Sequence, residues 1–408
     1  MARIQFKKFP LGFWSCYPYA ISGMTEQEIS DMAACGMTLT MSPGTNPSLK
    51  TETLRALDLC EKYGIQLILV DSRTHWTNIR KGADAYRTAM REAYEDYGKH
   101  PATFGFFLGD EPHEDQMDDC TAAYKIALEE GPGLVPYLNQ NPGYAEKCKK
   151  FVKESGCRLL SYDRYTQMNP EPEGAVPFIR DFAEYKALAE EVDVPLLSIM
   201  LSVGHFRYRV PSIDDYRWQM GVALACGANA IFWFTYHTPI RNNNYRGAPI
   251  SEFGVKNPTY YSLQDLQLRF NRDYADLFNH CNFRGVYSVN QHYPVMKPFT
   301  PDTAVEAGIP NLLDIRSDRD TPILVTYLEG RDQYAGKRYV MVTNNTWDTC
   351  SHFVFSAKPE VKHPWRVYAD DEVDFEKNHW DASFSRSEKS VDCGVWLAPG
   401  QFEIFRFE

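Results

Sequence analysis

Residues 51–71, TETLRALDLCEKYGIQLILVD, contain the pattern that decides the fold. A helical segment, Thr51–Tyr63, is followed by Gly64 and then by the apolar run Ile65–Val70. Glycine suits this position because it adopts the left-handed backbone conformation that closes a helix. The same order of helix, glycine and apolar strand recurs at three further places, Gly36, Gly156 and Gly227. This repetition predicts parallel strands connected by helices.

The chain contains eight strand candidates of this kind. They are Gly12–Cys16, Met37–Ser42, Ile65–Asp71, Thr103–Leu108, Val135–Asn139, Arg158–Tyr162, Pro195–Leu201 and Ala230–Thr235. Most are apolar throughout, as is typical of parallel strands covered by helices. Eight such units indicate a (β/α)8 TIM barrel, whose usual size is ~250 residues, and we predict it over residues 1–284. A doubly wound sheet is disfavoured because the chain has neither a G-x-G-x-x-G nor a P-loop sequence.

Beyond the predicted helix Ser262–His280 the pattern changes, and short strand candidates alternate with turns. They are Ile323–Tyr327, Arg338–Thr343, His352–Ser356, Trp365–Tyr368, Val395–Leu397 and Gln401–Phe407. Helical periodicity is missing from this part of the sequence. We therefore predict an antiparallel β-sandwich domain over residues 285–408.

Composition excludes several classes of protein. The chain has 54 acidic and 43 basic residues, a net charge of −11, and no basic run, which argues against a nucleic-acid partner. Its apolar runs are too short to span a membrane. Because Met1–Pro10 has no apolar stretch typical of a signal peptide and the ten cysteines form no C-x-x-C pair, we predict a cytoplasmic protein with reduced thiols. The oligomeric state is left open.

Polar and aromatic side chains stand at the carboxyl ends of the predicted strands, where TIM barrels carry their active sites. The candidate substrate-binding residues, in strand order, are Trp14, Tyr17, Asp71, Trp76, Asn139, Tyr162, Tyr165, His205, Trp233, Tyr236 and His237. Rings stack on the apolar faces of sugars, and amides and carboxylates bind hydroxyl groups. This mixture predicts a carbohydrate ligand, since a phosphorylated metabolite would call for a glycine-rich phosphate loop.

Two acids directly follow an apolar strand in the segment Phe104–Pro112, FGFFLGDEP. A carboxyl group at this place lies between a dry core and solvent, and desolvation and a neighbouring negative charge both raise its pKa. A raised pKa suits a general acid near neutral pH. Asp110 and Glu111 are therefore candidate catalytic residues, the alternative being that they cap the next helix.

The ending Gly109-Asp110-Glu111-Pro112 resembles that of the TIM-barrel glycoside hydrolases, many of which have a glutamate proton donor after strand four. The adjacent Asp–Glu pair is similar to that of the β-N-acetylhexosaminidases and related N-acetylgalactosaminidases. The helix and β domain that follow the barrel also resemble the C-terminal part of such enzymes. The resemblance implies an O-glycosyl hydrolase with Glu111 as the general acid, assisted by Asp110 or Asp163.

The sequence departs from one large clan of retaining glycosidases, which has its nucleophile glutamate after strand seven. Here Val194–Tyr208 contains neither Asp nor Glu. Three mechanisms stay open, ranked in this order. In the first, a substrate 2-acetamido group attacks while Asp110 orients it. In the second, Asp163 activates a water across a gap of ~6.5–9.5 Å. In the third, Asp71 or another carboxylate is a nucleophile at ~5–5.5 Å from the acid.

Two other classes of function also stay open. A non-catalytic carbohydrate-binding protein on a degenerate barrel agrees with the missing strand-seven acid. A lyase or isomerase would need a metal or a lysine base, but the histidines form no metal signature and no lysine stands at a strand end. We therefore predict neither metal nor cofactor.

Overall fold

The computed structural model describes residues 3–14, 16–169, 174–239, 244–368, 371–377 and 382–407. The chain forms two compact units. The first contains Met1–Pro211 and Ala228–Gln267, and the second contains Ser212–Gly227 and Leu268–Glu408.

A parallel sheet of eight strands is found among the described residues of the first unit. The strands are β1 (Leu11–Phe13), β2 (Leu39–Thr45), β3 (Gln66–Asp71), β4 (Thr103–Asp110), β5 (Val135–Gln140), β6 (Leu160–Asp163), β7 (Leu196–Leu201) and β8 (Ala230–Phe234). Their order in the sheet is β1-β8-β7-β6-β5-β4-β3-β2. Each coincides with a strand predicted from the sequence, and the barrel fold is confirmed.

Helices connect the strands, as the glycine pattern predicts. They are α1 (Glu26–Ala34), α2 (Lys50–Tyr63), α3 (Ala83–Ala93), α4 (Met117–Glu130), α5 (Ala145–Glu154), α6 (Ala175–Glu191) and α7 (Ile213–Ala225). Gly64 closes α2 in the left-handed conformation, with φ 71°. The predicted helix 262–280 is divided at Tyr274 into α8 (Pro258–Asp273) and α9 (Ala275–Asn279).

β1 and β2 close the barrel with the help of threonine side chains. Leu11 N–H donates to Thr38 Oγ1 at 3.0 Å, and Phe13 N–H donates to Thr40 Oγ1 at 3.1 Å. The two backbones approach so closely that a Cβ atom on Gly12 would lie 1.6 Å from a carbonyl oxygen of β2. Only glycine fits at this position.

Apolar side chains fill the barrel interior. They include Met41, Ile68, Phe104, Val135, Tyr137, Leu159, Leu197, Ile199, Ala230 and Phe232. A packed interior of this kind leaves the strand ends as the place where polar side chains reach solvent. The acids after β4 therefore stand between a dry interior and water.

Antiparallel strands make up most of the second unit. They are β9 (Cys281–Val289), β10 (Leu312–Ser317), β11 (Ile323–Gly330), β12 (Arg338–Asn344), β13 (Ser351–Ala357), β14 (Pro364–Tyr368), β15 (Asp371–Asp374), β16 (Ala382–Arg386), β17 (Val391–Leu397) and β18 (Phe402–Phe407). One sheet has the order β10-β13-β17-β16 and the other β15-β14-β18-β12-β11-β9. The rings of Phe355 and Phe405, one from each sheet, lie 4.3 Å apart in a shared core, which makes the unit a β-sandwich.

Contacts divide the chain differently from the change of strand pattern at residue 284. The short helix α10 (Pro301–Glu306) and the helix α7 both belong to the second unit. Thr326 Oγ1 on β11 donates to the carbonyl oxygen of Ala225 at the end of α7, at 2.7 Å. This bond and the packing of α7 on β12 explain the assignment.

All ten cysteines are free thiols, and eight of them are buried. No helix within the described ranges is long and apolar enough to cross a membrane.

Candidate active site

The two acids predicted from the sequence stand at the carboxyl end of β4. Asp110 is the last residue of the strand, Glu111 follows it, and both residues are exposed. Glu111 has a φ of 41°, which is uncommon for a residue other than glycine. Its N–H donates to the carbonyl oxygen of Asn139 on β5 at 3.0 Å. The neighbouring strand thus holds the chain in a strained conformation at the acid itself.

Asn139 connects two of the acids. Its Nδ2 donates to Asp110 Oδ1 at 3.1 Å and to Asp163 Oδ1 at 2.9 Å. β5 lies between β4 and β6 in the sheet, so one amide group bridges the ends of two strands that are not neighbours. Asn139 and Asp163 are buried, whereas Asp110 is open to solvent on one side.

Glu111 and Asp163 are in direct contact, because their side chains hydrogen-bond to each other. A carboxylate only accepts hydrogen bonds, so this contact needs a proton between the two groups. Burial raises the pKa of Asp163 well above its usual range, and the charges of Glu111 and Asp110 raise it further, against the effect of the Asn139 bond. Burial therefore favours the protonated form of Asp163, and the contact with Glu111 needs one proton for the pair.

Asp110 has a different protonation state. Desolvation of its carboxyl group by the surrounding protein raises the pKa of Asp110 to about 6. The hydrogen bond from Asn139 opposes this shift, and the charge of Glu111 adds to it. At pH 7 Asp110 is mostly ionised, whereas burial favours the protonated form of Asp163. Acids whose environments separate their protonation states are typical of acid–base sites.

Two buried hydroxyl groups continue this network behind Asn139. Ser161 Oγ donates to Asn139 Oδ1 at 2.9 Å, and Tyr137 Oη lies 2.8 Å from Ser161 Oγ. The sequence analysis did not identify either residue. A signal was present, because Tyr137 and Ser161 each stand two positions before a site residue on the same strand and so share its face.

Five rings form a group on one side of the acids, which we call the aromatic wall. Its members are Tyr165, His205, Tyr208, Phe234 and Tyr245. His205 and Tyr245 stack at 4.9 Å with an angle of 7° between their planes. The wall lies close to the acids, since burial and then the charges of Asp163 and Glu111 raise the pKa of Tyr208, against nearby Arg164. Of the five, only Tyr165 and His205 were predicted.

A second polar cluster joins β1, β8 and α1. His237 Nε2 lies 2.5 Å from Glu28 Oε1 and 3.3 Å from the Tyr19 hydroxyl oxygen. The Tyr17 ring is 5.4 Å from the His237 ring. Tyr17 and His237 were predicted from the sequence, while Glu28 and Tyr19 were not, because neither stands at a strand end.

Tyr162 and Trp233 are not placed to contact a substrate, contrary to the sequence prediction. Tyr162 stacks on Tyr185 of α6 at 4.2 Å, and Trp233 Nε1 donates to Gln267 Oε1 of α8 at 3.2 Å. Both are fully buried. Side chains alternate along a strand, so when Asp163 faces the site its neighbour Tyr162 must face the helices.

Three other predicted substrate contacts are buried in the packing. Trp14 meets the Phe107 ring edge-on at 5.6 Å within the barrel core. Trp76 covers Gly109, where a Cβ atom would lie 2.3 Å from the indole ring. Tyr236 is 1% exposed, which leaves it no surface for a ligand. Large aromatic side chains at strand ends here support the site instead of lining it.

Asp71 is held in a buried ion pair, which argues against its predicted roles as nucleophile and as substrate ligand. Its Oδ2 lies 2.9 Å from Arg73 Nη2, and its Oδ1 accepts from the Arg73 N–H at 2.8 Å. Arg73 also binds Asp96 at 2.8 Å. With both oxygens engaged and the side chain buried, Asp71 is a structural residue.

The end of β7 carries no acid. β7 ends at Leu201, as predicted, and the segment from there to the Ser212 cap of α7 contains neither Asp nor Glu. The departure from the two-glutamate mechanism is therefore not an error in the strand count. The water-activating role predicted for Asp163 does not fit either, because its contact with Glu111 leaves no gap of ~6.5–9.5 Å for a water.

The acids of the site are arranged for hydrogen bonds to one another. In the part of the chain that the structure describes, no group of three or more His, Cys, Asp or Glu side chains is arranged to hold a metal ion.

No protein-family model matches the sequence, and no curated protein is significantly similar to it. Solved structures are similar in fold. A family 39 glycoside hydrolase from the gut symbiont Bacteroides cellulosilyticus WH2 is 11% identical, with a TM-score of 0.55, over 98% of this chain and 81% of that one. A β-galactosidase from the psychrophilic Marinomonas ef1 is 11% identical, with a TM-score of 0.50, over 64% of this chain. A β-galactosidase from the haloarchaeon Halorubrum lacusprofundi is 12% identical, also with a TM-score of 0.50 and 64% coverage.

The chain spans 59% and 58% of the length of these two β-galactosidases. The similarity to the family 39 enzyme extends over both units of the chain. The chain therefore has the fold of glycoside hydrolases, a TIM barrel followed by a β-sandwich.

Proposed function

We propose that this protein is a glycoside hydrolase in which Glu111 is the general acid. The observation that carries the proposal is the hydrogen bond between Glu111 and Asp163. Asp163 is buried and favours its protonated form, whereas Glu111 is exposed and can pass the proton of the pair to a substrate. A carboxyl pair that holds one proton at the surface of a barrel supplies what cleavage of a glycosidic bond needs, which is an acid that protonates the leaving oxygen.

The nucleophile is best supplied by the substrate. No acid follows β7, Asp71 is held by Arg73, and Asp163 is in contact with Glu111, so none of these provides a carboxylate opposite the acid. A 2-acetamido sugar carries its own nucleophile. Asp110, ionised and exposed beside Glu111, is placed to accept the N–H of such a group.

The reaction then has two steps. The acetamido oxygen forms a bond to the anomeric carbon while the bond to the leaving oxygen breaks, and the one proton of the Glu111–Asp163 pair passes from Glu111 to that oxygen. Water next adds to the anomeric carbon as the bond from that carbon to the acetamido oxygen breaks, and the water gives a proton to the Glu111 carboxylate. This restores both the acetamido group and the protonated pair. Asp110 stabilises the positive charge that develops on the acetamido nitrogen.

The aromatic wall supports a sugar as the ligand. Tyr208 and Tyr245 are half-buried and keep part of their ring surface open, and Tyr208 lies near Asp163 and Glu111. An open ring face at this place suits the apolar face of a pyranose, because stacking removes apolar area from water.

The test is hydrolysis of two sets of aryl glycosides, with and without a 2-acetamido group, by the wild type and by Glu111→Gln. We expect turnover of an acetamido sugar, and a loss of about 10²–10⁴-fold in Glu111→Gln. The matched control is Glu114→Gln, since Glu114 is an exposed glutamate three positions away, paired with Lys147 at 3.5 Å. Full activity of Glu111→Gln on a cleaved glycoside would refute the assignment, and turnover of sugars without the acetamido group alone would refute the substrate-assisted step.

A second candidate function is carbohydrate binding without catalysis, favoured by the absence of an acid after β7. In that case the wall and the acids bind a sugar that is not cleaved. Binding to a glycan array with no turnover of any bound glycan would support it.

A further inference from the structure

The donor and acceptor of each hydrogen bond behind the acids can be assigned, because each hydroxyl group has one proton to donate. The Asn139 Nδ2 uses both of its protons on Asp110 and Asp163, at 3.1 and 2.9 Å. Asn139 Oδ1 must then accept, and Ser161 Oγ donates to it at 2.9 Å. With its proton committed, Ser161 Oγ accepts from Tyr137, whose Oη is 2.8 Å away. Tyr137 thus donates to Ser161, and Ser161 to Asn139.

This direction decides which end of the amide faces the acids. If the amide were turned over, its oxygen would face two carboxyl groups and its N–H2 would face a hydroxyl that could no longer donate to it. Tyr137, Ser161 and Asn139 are buried, so water cannot replace a lost partner at low cost. A chain of bonds polarised in one direction also strengthens each of its members.

We propose that Tyr137 and Ser161 are positioning residues that hold the Asn139 amide with its N–H2 toward Asp110 and Asp163. The inference rests on the proposed hydrolase and deepens it, since Asp110 and the Glu111–Asp163 pair are the groups that its mechanism uses. Neither residue touches the reacting atoms; both act through Asn139.

Other titratable groups also face the acids. Glu111 raises the pKa of both aspartates. Four tyrosines from β5, the loop after β6, α6 and the loop after β7 have pKa values raised by burial and, to a smaller extent, by the ionised form of Asp163. They are Tyr137, Tyr165, Tyr185 and Tyr208. Their own pKa values are raised, so all four stay neutral near pH 7 and do not titrate with the aspartates. Arg164 and Arg207 lie near Tyr208 and lower its pKa.

The experiment titrates the aspartate carboxyl groups directly by ¹³C NMR of the full chain labelled at aspartate Cγ, with Asp110→Asn to assign the signal. We expect Ser161→Ala to raise the pKa of Asp110 by about one pH unit, because its ionised form loses a well-aimed N–H donor. Tyr137→Phe should shift it in the same direction by less, since Ser161 still holds the amide. The double variant should add almost nothing to Ser161→Ala, because Tyr137 acts only through that hydroxyl.

The matched control is Ser198→Ala. Ser198 is a buried serine on β7 whose hydroxyl has no partner among the described residues, so its removal should leave the Asp110 titration unchanged. An unshifted Asp110 signal in folded Ser161→Ala would overturn the proposal, as would an equal shift in Ser198→Ala. The NMR titration does not depend on turnover. If the Asp110 signal shifts in a protein that cleaves no glycoside, the positioning role of Tyr137 and Ser161 is supported and the proposed hydrolase function is refuted.

Discussion

The carboxyl group of Asp163, at the end of β6, hydrogen-bonds to that of Glu111, which follows β4, although β5 lies between these strands. The two groups meet because Asn139 on β5 draws Asp163 and Asp110 toward one amide. A buried acid and an exposed acid thus share one proton. Three consecutive strands, β4, β5 and β6, are needed to build this pair.

Asp163→Asn should make the protein more stable at neutral pH. A carboxyl group whose pKa is raised by folding binds more protons in the folded state, so it costs stability as the pH rises above ~4, the usual pKa of an unfolded aspartate. Asparagine has nearly the shape of the protonated acid and cannot ionise. We expect a melting temperature a few degrees above that of the wild type at pH 7 and equal to it near pH 4, measured by calorimetry. A variant less stable than the wild type at both pH values would mean that Asp163 is ionised when folded.

Hydrolysis should weaken in mildly acidic solution. The pKa of Asp110 is raised to about 6, and the proposed mechanism needs its ionised form, so kcat/KM should fall about tenfold per pH unit below pH 6. Asp110→Asn should lower kcat/KM and remove this limb of the pH profile. A limb near pH 6 that persists in Asp110→Asn belongs to another group.

Gly109→Ala should disturb the site without touching an acid. The added Cβ atom would lie 2.3 Å from the Trp76 ring, so the indole or β4 must shift just before Asp110. We expect a loss of about 1–3 kcal/mol in unfolding free energy and reduced activity. Gly44→Ala is the control, because a Cβ atom there meets nothing within 4 Å. Equal denaturation midpoints for the two variants would show that the Trp76 contact does not limit this position.

Asp71→Asn should lower the free energy of unfolding and leave kcat nearly unchanged. Removing one partner leaves the Arg73 guanidinium, which is 9% exposed, with an incomplete ion pair, and such losses cost about 3–5 kcal/mol. Asp119→Asn breaks an exposed pair with Arg80 and should cost under about 1 kcal/mol. Denaturant unfolding gives both values. A folded Asp71→Asn protein with its kcat reduced as severely as that of Glu111→Gln would restore Asp71 as a catalytic candidate.

The barrel could be predicted because its signals are local. A glycine after each of several helices and an apolar run after each glycine place all eight strands, and the acids follow β4 where the sequence puts them. Four strands of the sandwich, β9, β10, β15 and β16, were missed. β9 shows why: Gly285 has a φ of 136° and the pairing with β11 shifts register nearby, which breaks the alternation that identifies a half-buried strand.

The site could be predicted only in part, because a strand end does not reveal which way a side chain points. Tyr162 and Asp163 are adjacent in sequence, yet one packs on α6 and the other reaches Glu111. Ser161 lies deeper on the same strand and has no chemical signature of its own. Its role depends on its hydrogen bond to Asn139, a residue on another strand. A single sequence does not reveal which residues of neighbouring strands meet.

The barrel closes where β1 meets β2. The other neighbouring strands are paired in a continuous order from β1 around to β2. At this last joint the Thr38 N–H donates to the Leu11 carbonyl oxygen at 2.9 Å, and the hydroxyls of Thr38 and Thr40 accept two further peptide N–H groups. Two side chains therefore help to turn an open, twisted sheet into a closed cylinder. Valine at either place has the same shape but no acceptor, and would remove one of the hydrogen bonds that close the cylinder.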